Sequence, residues 1–353
     1  MKFLDLQEEN KESSAEFVNF YQEIEKSGKY LLGDFLLSFE KEFAKDQQVK
    51  HAVCVKNATD ALYIVFSILG AESKTIILPQ FGAYPTVMAA LQAKAKNIIA
   101  APVDERLTLD LRNIDVPENS IIVPVHLFGN QAEMKHIEEI AKRTKSLIVE
   151  DCAQSTGVQK FESSIAAIHS FYPTKPLGCR GDGGAILTND SALEDKCRKA
   201  RFYGLDEFGY VSSWGFNSRM DEWQAAFLLC KIKHYRNLNM IRQSTAKKYN
   251  MFLPNHIVRD ENCVYHQYVV LLNERDTVKK LLEEKGIPTM IHYPRMLSDM
   301  PFLQDKVQFS ACKNIAKHIL SLPVGPHIKE LDAEKIILSL ESLKDYVIDF
   351  NAI

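Results

Sequence analysis

Residues 170–190, SFYPTKPLGCRGDGGAILTND, place one lysine between two prolines in a glycine-rich loop. Ser170 ends an apolar segment that is typical of a buried strand, and GAILTN at 184–189 predicts the next strand. Lys175 lies in the loop between them. A single lysine is ordinarily a surface residue. A desolvated lysine, however, loses its proton more easily and becomes a nucleophile that can form a Schiff base.

Short apolar segments alternate with helix-like segments from about residue 50 to residue 190. The predicted strands are HAVCV, TIILP, NIIAAPV, SIIVPVHLF, SLIVED, IHSFY and GAILTN. Between them, DALYIVFSILG and AEMKHIEEIAKRTK have the length and composition of helices; Asn57 and Thr59 are expected to cap the first, and Gly70 to end it. This alternation predicts an α/β domain with a largely parallel sheet.

A change of pattern follows residue 220. The segment DEWQAAFLLCKIKHYRNLNMIRQSTAKKYN predicts one long helix, and a mixed strand–helix segment follows it. We therefore expect two domains, a large one over residues 1–235 and a smaller α+β domain over residues 236–353.

The composition is that of an ordinary globular protein, with 46% hydrophobic residues, 25% charged residues and a net charge of −3. This near-neutral balance argues against nucleic-acid and membrane-surface partners. No apolar run approaches the roughly 20 residues that span a bilayer, and the first residues do not resemble a signal peptide. The seven cysteines form no C-x-x-C pair, which predicts reduced thiols, a cytoplasmic location and no metal site.

Three polar motifs accompany the loop lysine. NATDAL puts Thr59 and Asp60 at a helix start, where backbone N–H groups bind anions. VEDCAQSTG ends a strand with Asp151, which suits a cationic ring nitrogen, and Gln154, which suits an oxygen on the same ring. GFNSRMDEWQAAF places Asn217 just before a helix. Each motif alone is also typical of helix capping, but together with the lysine they match the parts of a pyridoxal phosphate (PLP) enzyme.

The chain resembles the sugar aminotransferases of the DegT–StrS family, which have the aspartate aminotransferase (type I) fold. The resemblance runs almost end to end. It is carried by KFLDL, SGKYLLGDFLLSFEKEFA, NATDAL, VPVHLFGN, VEDCAQSTG, SFYPTKPLGCRGDGGAILTND, GFNSRMDEWQAAF, YHQYVV and IHYP. It implies a large domain with a mostly parallel, mixed sheet, a smaller C-terminal α+β domain and PLP as the cofactor.

The resemblance also implies roles for individual residues. Lys175 would be the covalent anchor of PLP and Asp151 the partner of its pyridine nitrogen, so that these two are the expected catalytic residues. Gln154 would contact the ring hydroxyl. The PLP phosphate would be held by Thr59, Asp60, Ser170 and, from the other subunit of a homodimer with shared active sites, Asn217.

Three positions depart from the family's pattern. Ala58 stands where glycine is usual, a mild change if the local φ is negative. Asn130 in HLFGN stands where glutamine is usual. In PQFGAYPT, an ungapped match puts Ala83 at the position of the aromatic residue that stacks on the cofactor ring. We expect Tyr84 or Phe81 to take that role.

The implied activity is amino transfer from glutamate to a keto group of a nucleotide-linked keto-deoxysugar, with dTDP as the expected nucleotide, in glycan or lipopolysaccharide sugar biosynthesis. IHYP and GFNSR favour the branch that acts on 3-keto sugars; the 4-keto branch is the alternative. The family's dehydratases are disfavoured because they have histidine in place of the anchoring lysine.

The sequence disfavours two non-transferase interpretations. One is a non-catalytic, PLP-binding regulatory or structural relative, which the filled chemical positions disfavour. The other is a plain nucleotide-binding Rossmann protein, which is disfavoured because no G-x-G-x-x-G follows the first strand.

Overall fold

The computed structural model describes residues 1–158, 162–253 and 257–353. The strands are β1 (His51–Val55), β2 (Thr75–Pro79), β3 (Asn97–Ala101), β4 (Ile121–Ile122), β5 (Leu147–Asp151), β6 (Ala166–Ser170), β7 (Gly184–Thr188), β8 (Tyr268–Leu271), β9 (Gln308–Phe309) and β10 (Ile319–Leu322). The helices are α1 (Leu6–Glu9), α2 (Lys11–Ser27), α3 (Asp34–Asp46), α4 (Ala58–Ile68), α5 (Tyr84–Gln92), α6 (Met134–Thr144), α7 (Ser191–Ala200), α8 (Glu222–Lys231), α9 (Tyr235–Asn250), α10 (Arg275–Glu284) and α11 (Glu330–Glu341). Within these described ranges, no helix combines the length and the apolar character needed to cross a membrane.

The central sheet has eight strands in the order β1-β7-β6-β5-β4-β2-β3-β9. The β1–β7 and β7–β6 pairs are antiparallel, whereas every pair from β6 to β9 is parallel. Strands β2, β6 and β7 are buried along their whole length, which is why apolar residues dominate their sequences instead of alternating with polar ones. The predicted α/β fold with a mostly parallel, mixed sheet is confirmed.

Strand β4 is much shorter than the predicted strand SIIVPVHLF. The reason is Pro124, which has no N–H to donate to a neighbouring strand. Beyond it, Val125 forms only an isolated bridge to Asp151, and the chain then turns through a 3₁₀ helix at Leu127–Gly129. This irregular segment therefore runs beside the carboxyl end of β5.

The C-terminal part of the chain has a second, antiparallel sheet formed by β8 and β10. A hydrophobic cluster between residues 246 and 343 packs around it and includes Tyr249, Tyr268, Leu282, Leu322 and Ile336. Strand β9 instead pairs with β3 and so adds a C-terminal strand to the large sheet. The division at residues 235 and 236 stays a prediction.

The single long helix predicted over residues 221–250 is wrong, because the structure has two helices, α8 and α9, separated by a turn at residues 232–234. Helix α8 packs against α2 and α3, whereas α9 packs against α11. At the start of α9, Tyr235 is fully buried and its hydroxyl bonds to Asp46 and Gln47 of the large domain. The turn lets two apolar faces reach different partners, which a straight helix cannot do.

Candidate active site

The carboxyl ends of β5 and β6 meet the starts of α4 and α5 around a cavity of about 300 Å³. Five predicted site residues line this cavity: Thr59, Asp151, Gln154, Ser170 and Lys175. They belong to three segments that are far apart in the sequence. They converge because parallel strands bring their carboxyl ends to one edge of the sheet.

The loop that carries Lys175 is tightly closed. The carbonyl of Phe171 accepts a hydrogen bond from the N–H of Cys179 at 2.7 Å, which joins the two ends of the loop. Inside the loop, a Cβ on Gly178 would lie 2.3 Å from the carbonyl oxygen of Pro173. Only glycine permits this close approach of two backbone segments. The glycines and prolines therefore fix where the lysine side chain begins.

Among the described residues that line the cavity, Lys175 has the most strongly shifted pKa. Burial lowers the pKa of its amine from 10.5 to about 8, and the carboxylate of Asp151 acts in the opposite direction, because a nearby negative charge favours the ammonium form. With this pKa, about a tenth of the amines are unprotonated at pH 7, roughly two orders of magnitude more than for an ordinary lysine. The amine is thus prepared to act as a nucleophile and as a proton carrier.

Asp151 lies at the end of β5 with only 4% of its surface exposed. Its Oδ1 accepts a hydrogen bond from the N–H of Ala153 at 3.1 Å, and its Oδ2 accepts one from the Thr86 hydroxyl at 2.8 Å. Each carboxylate oxygen has a second lone pair. The side chain is therefore held by two donors and can still accept a proton-bearing nitrogen from the cavity.

Gln154 is oriented at both ends of its amide group. Its Oε1 accepts a hydrogen bond from the N–H of Phe128 at 2.7 Å, and its Nε2 donates to the hydroxyl of Tyr293 at 2.7 Å. Because the N–H of Phe128 can only donate, the atom of the Gln154 side-chain amide that faces it is the oxygen, and the atom that faces Tyr293 is the nitrogen. Phe128 and Tyr293 both have left-handed backbones, with φ of 60° and 64°. The second hydrogen on Nε2 is available to an oxygen in the cavity.

The start of α4 forms one wall of the cavity through Thr59. Asn57 caps this helix, and its side-chain oxygen accepts from the N–H of Asp60 at 2.8 Å. The carboxylate of Asp60 accepts from the Ser218 hydroxyl at 2.7 Å, and a direct contact of Asp60 with phosphate stays a prediction. Thr59, the N–H groups of the first helical turn and Ser170 are the groups placed to bind an anion.

Two of the departures from the family's pattern have a simple structural reason. Ala58 is the first residue of α4 and has an ordinary helical backbone, so glycine is not needed there. The side chain of Asn130 donates to the carbonyls of Arg106 and Val258 at 2.9 and 2.8 Å, and accepts from the N–H of Asp260 at 2.8 Å. Asn130 therefore joins the loop after β3 to the segment at residues 258–260.

Neither candidate for the aromatic residue that would stack on the cofactor ring, Tyr84 or Phe81, is among the described residues that line the cavity. Ala83 and Pro85 line the cavity, and Tyr84 between them is 37% exposed with its ring edge-on to Tyr293 at 6.4 Å. Phe81 is fully buried in a hydrophobic cluster. Of the two candidates, Tyr84 has the exposed ring beside the cavity, and its stacking role stays a prediction.

Asn217 is exposed and does not belong to the described residues that line the cavity of its own chain. Its side-chain oxygen accepts a hydrogen bond from Arg219 at 2.9 Å, and its backbone forms an isolated bridge to Phe202. Its role as a phosphate ligand from a second subunit stays a prediction.

Sequence reasoning assigned no role to several residues at the site. His266 lies in the motif YHQYVV and His292 in the motif IHYP. These two motifs could have pointed to the histidines as site residues. Burial, together with the positive charge of Lys175, lowers the pKa of His292 to about 4 and that of His266 well below its usual range, so both rings are neutral near pH 7. Nothing in the sequence predicts a role for Thr86, because threonine is common in the first turn of a helix and its hydrogen-bond partner is visible only in the structure.

The residues present fit PLP. The lysine amine matches the aldehyde of the cofactor, and the start of α4 with Ser170 matches its phosphate. The carboxylate of Asp151 matches a protonated ring nitrogen, and the amide of Gln154 matches the ring hydroxyl. All of these donors and acceptors converge on one cavity of about 300 Å³.

Comparison with known proteins agrees with this chemistry. Residues 11–341 match the DegT/DnrJ/EryC1/StrS aminotransferase family. The dTDP-3-amino-3,4,6-trideoxy-alpha-D-glucose transaminase of Streptomyces venezuelae is 33% identical over 357 residues, covering 95% of this chain and 94% of that protein. The Pleiotropic regulatory protein of Geobacillus stearothermophilus is 32% identical over 356 residues, covering 95% of this chain and 96% of that protein.

The fold is shared as well. The crystal structure of DesV from S. venezuelae superimposes with a TM-score of 0.90 at 31% sequence identity, covering 98% of this chain and 99% of that one. Family, fold and site chemistry therefore agree, and the chain belongs to the DegT/DnrJ/EryC1/StrS family of PLP-dependent sugar aminotransferases, enzymes of nucleotide-sugar biosynthesis.

Proposed function

We propose that this enzyme transfers an amino group from glutamate to the 3-keto group of a dTDP-linked deoxysugar in the biosynthesis of a glycan or lipopolysaccharide sugar. The observation that carries the transferase chemistry is the convergence of Lys175 and Asp151 on one cavity, with the pKa of the lysine lowered to about 8. A lysine with this pKa exchanges protons near neutral pH, as general acid–base catalysis requires.

PLP, when bound, supplies an electron sink and carries the nitrogen between the two halves of the reaction. The Nζ atom of Lys175 would hold the cofactor and, once released, would move the proton whose transfer each half-reaction requires. The carboxylate of Asp151 would keep a proton on the pyridine nitrogen. Gln154 would orient the ring through its amide hydrogen, and Thr59 and Ser170 would hold the phosphate.

The choice of the 3 position rests on similarity. The motifs IHYP and GFNSR resemble the branch that acts on 3-keto sugars, and the relative from S. venezuelae is named as a 3-amino sugar transaminase. Amination at the 4 position is the alternative within the same chemistry. A non-catalytic regulatory role is the second alternative, because the G. stearothermophilus relative is named as a regulatory protein.

A substrate panel tests the proposal. Purified enzyme with PLP and glutamate is incubated with 3-keto and 4-keto sugar nucleotides, and aminated products are identified by mass spectrometry and NMR. We expect product from a 3-keto dTDP sugar. Lys175→Ala should stop turnover but leave the circular dichroism spectrum unchanged, since a loop lysine contributes little packing. Turnover of only 4-keto sugars would move the assignment to the other branch, and no turnover of any sugar by folded, PLP-loaded protein would favour the regulatory role.

The pH dependence of Lys175 gives a second test, on cofactor-free protein. Brief reductive methylation, followed by peptide mass spectrometry, measures how fast the neutral amine reacts. Below its pKa the amine is protonated and unreactive, so the rate should rise with pH and reach half its maximum near pH 8. In Asp151→Asn the midpoint should move to lower pH, because the carboxylate that favours the ammonium form is gone. A midpoint near 10.5, or one that is unchanged in Asp151→Asn, would contradict the proposed electrostatics.

We also propose that the active site is shared between the subunits of a homodimer. Asn217 is exposed and is not among the described residues that line the cavity, and the neighbouring loop exposes large apolar side chains. Phe208, Tyr210 and Val211 are each more than 70% exposed, and Trp214 is 46% exposed. Apolar groups clustered in this way are typical of an interaction surface. In a two-fold pair, both Asn217 side chains would reach equivalent sites.

The dimer proposal is tested by sedimentation and by cofactor titration together. We expect a homodimer at micromolar concentration, and we expect Asn217→Ala to weaken PLP binding while leaving assembly largely intact. Asn97→Ala, at an exposed position on β3, is the matched control and should bind PLP normally. A fully active monomer would contradict both the dimer and the role of Asn217.

The proposed location is the cytoplasm. The thiols of five buried cysteines form no disulfide in the structure: Cys54, Cys179, Cys197, Cys230 and Cys263. This state is what a reducing compartment maintains.

A further inference from the structure

The hydroxyl group of Thr86 forms a hydrogen bond outside its own helix, to a site residue. Thr86 lies in the first turn of α5 and is 3% exposed. Its hydroxyl donates a hydrogen bond of 2.8 Å to Oδ2 of Asp151, a residue 65 positions away in the sequence. A carboxylate only accepts hydrogen bonds, so the hydroxyl is the donor.

Another buried helical threonine shows the ordinary behaviour. Thr144 in α6 donates to the carbonyl of Ile140, one turn earlier in its own helix, at 2.9 Å. Thr86 instead connects α5 to the end of β5. It does not belong to the described residues that line the cavity, whereas Asp151 and the adjacent Pro85 do. Thr86 therefore contacts the carboxylate without itself lining the cavity.

We propose that Thr86 is a positioning residue for the cofactor, which acts by holding the Asp151 carboxylate toward the ring nitrogen. This inference rests on the proposed role of Asp151. The N–H of Ala153 holds Oδ1, and the Thr86 hydroxyl holds Oδ2. With both oxygens fixed, rotation of the carboxylate is restricted before the cofactor binds. The hydroxyl also stabilises the buried negative charge, because hydrogen bonds to ionised groups are the strong ones.

The test measures PLP binding to the full-length apo protein by near-visible absorbance, without glutamate or sugar. We expect Thr86→Val, which keeps the shape but removes the donor, to raise the PLP dissociation constant about tenfold, the effect of losing ~1.4 kcal/mol. Thr86→Ser, which restores a hydroxyl, should bind PLP within a few-fold of the parent protein.

A double-mutant cycle separates positioning from simple stability. In the Asp151→Asn background, Thr86→Val should change the dissociation constant less than twofold, because the charge that Thr86 holds is already absent. Thr108→Val is the matched control, since the Thr108 hydroxyl donates to another buried aspartate, Asp104, at 3.2 Å and away from the cavity. That variant should lower the melting temperature but leave PLP binding unchanged.

Two results would overturn the inference. One is a Thr86→Val protein that loses thermal stability as Thr108→Val does, yet binds PLP like the parent protein. The other is an effect of Thr86→Val that is equally large with and without Asp151. If the parent protein itself fails to bind PLP covalently, the role of Asp151 fails with it, so a failure of the proposed function is recognised separately.

Discussion

The chemistry of this protein depends on a balance of two electrostatic effects at Lys175. Burial removes water from the amine and disfavours its charged form, while the carboxylate of Asp151 favours that form. Burial is the larger effect, and the pKa settles at about 8. If burial acted alone, the amine would be less able to receive a proton; if the carboxylate dominated, the amine would rarely be a nucleophile. Asp151 ends β5, whereas Lys175 lies in the loop that follows β6, so the balance exists only in the folded protein.

The surrounding structure keeps this pair in place. A Cβ on Gly184 would lie 2.4 Å from the backbone of Asn57, so glycine at the start of β7 allows the cap of α4 to approach the Lys175 loop closely. On the other side, the amide of Gln154 is bonded to Tyr293 from the C-terminal part of the chain. The orientation of Gln154, which lines the cavity, thus depends on a residue that follows β8.

Local pattern was sufficient to predict strands β1 to β7 apart from the length of β4, the Lys175 loop and the acid at the end of β5, because each of these features is encoded by consecutive residues. Patterns of this kind do not report which side chains meet across the fold. The bond from Thr86 to Asp151 and the left-handed backbone of Phe128 both depend on tertiary contacts. The break between α8 and α9 was missed for the same reason, since Tyr235 is apolar enough to continue a helix and only its partners on α3 explain the turn.

Lysine chemistry alone does not single out Lys175, because burial also lowers the pKa of Lys231 to about 8. Lys231 is fully buried, its Nζ has no hydrogen-bond partner among the described residues, and it does not line the cavity. Access to the cavity is therefore what distinguishes the two amines.

The most direct measurement is borohydride reduction of the PLP-loaded protein, followed by peptide mass spectrometry to locate the attached cofactor. We expect the cofactor mass on the peptide that contains Lys175 and on no other; attachment to Lys231 or to a surface lysine, with Lys175 unmodified, would contradict the assignment of Lys175 as the anchor.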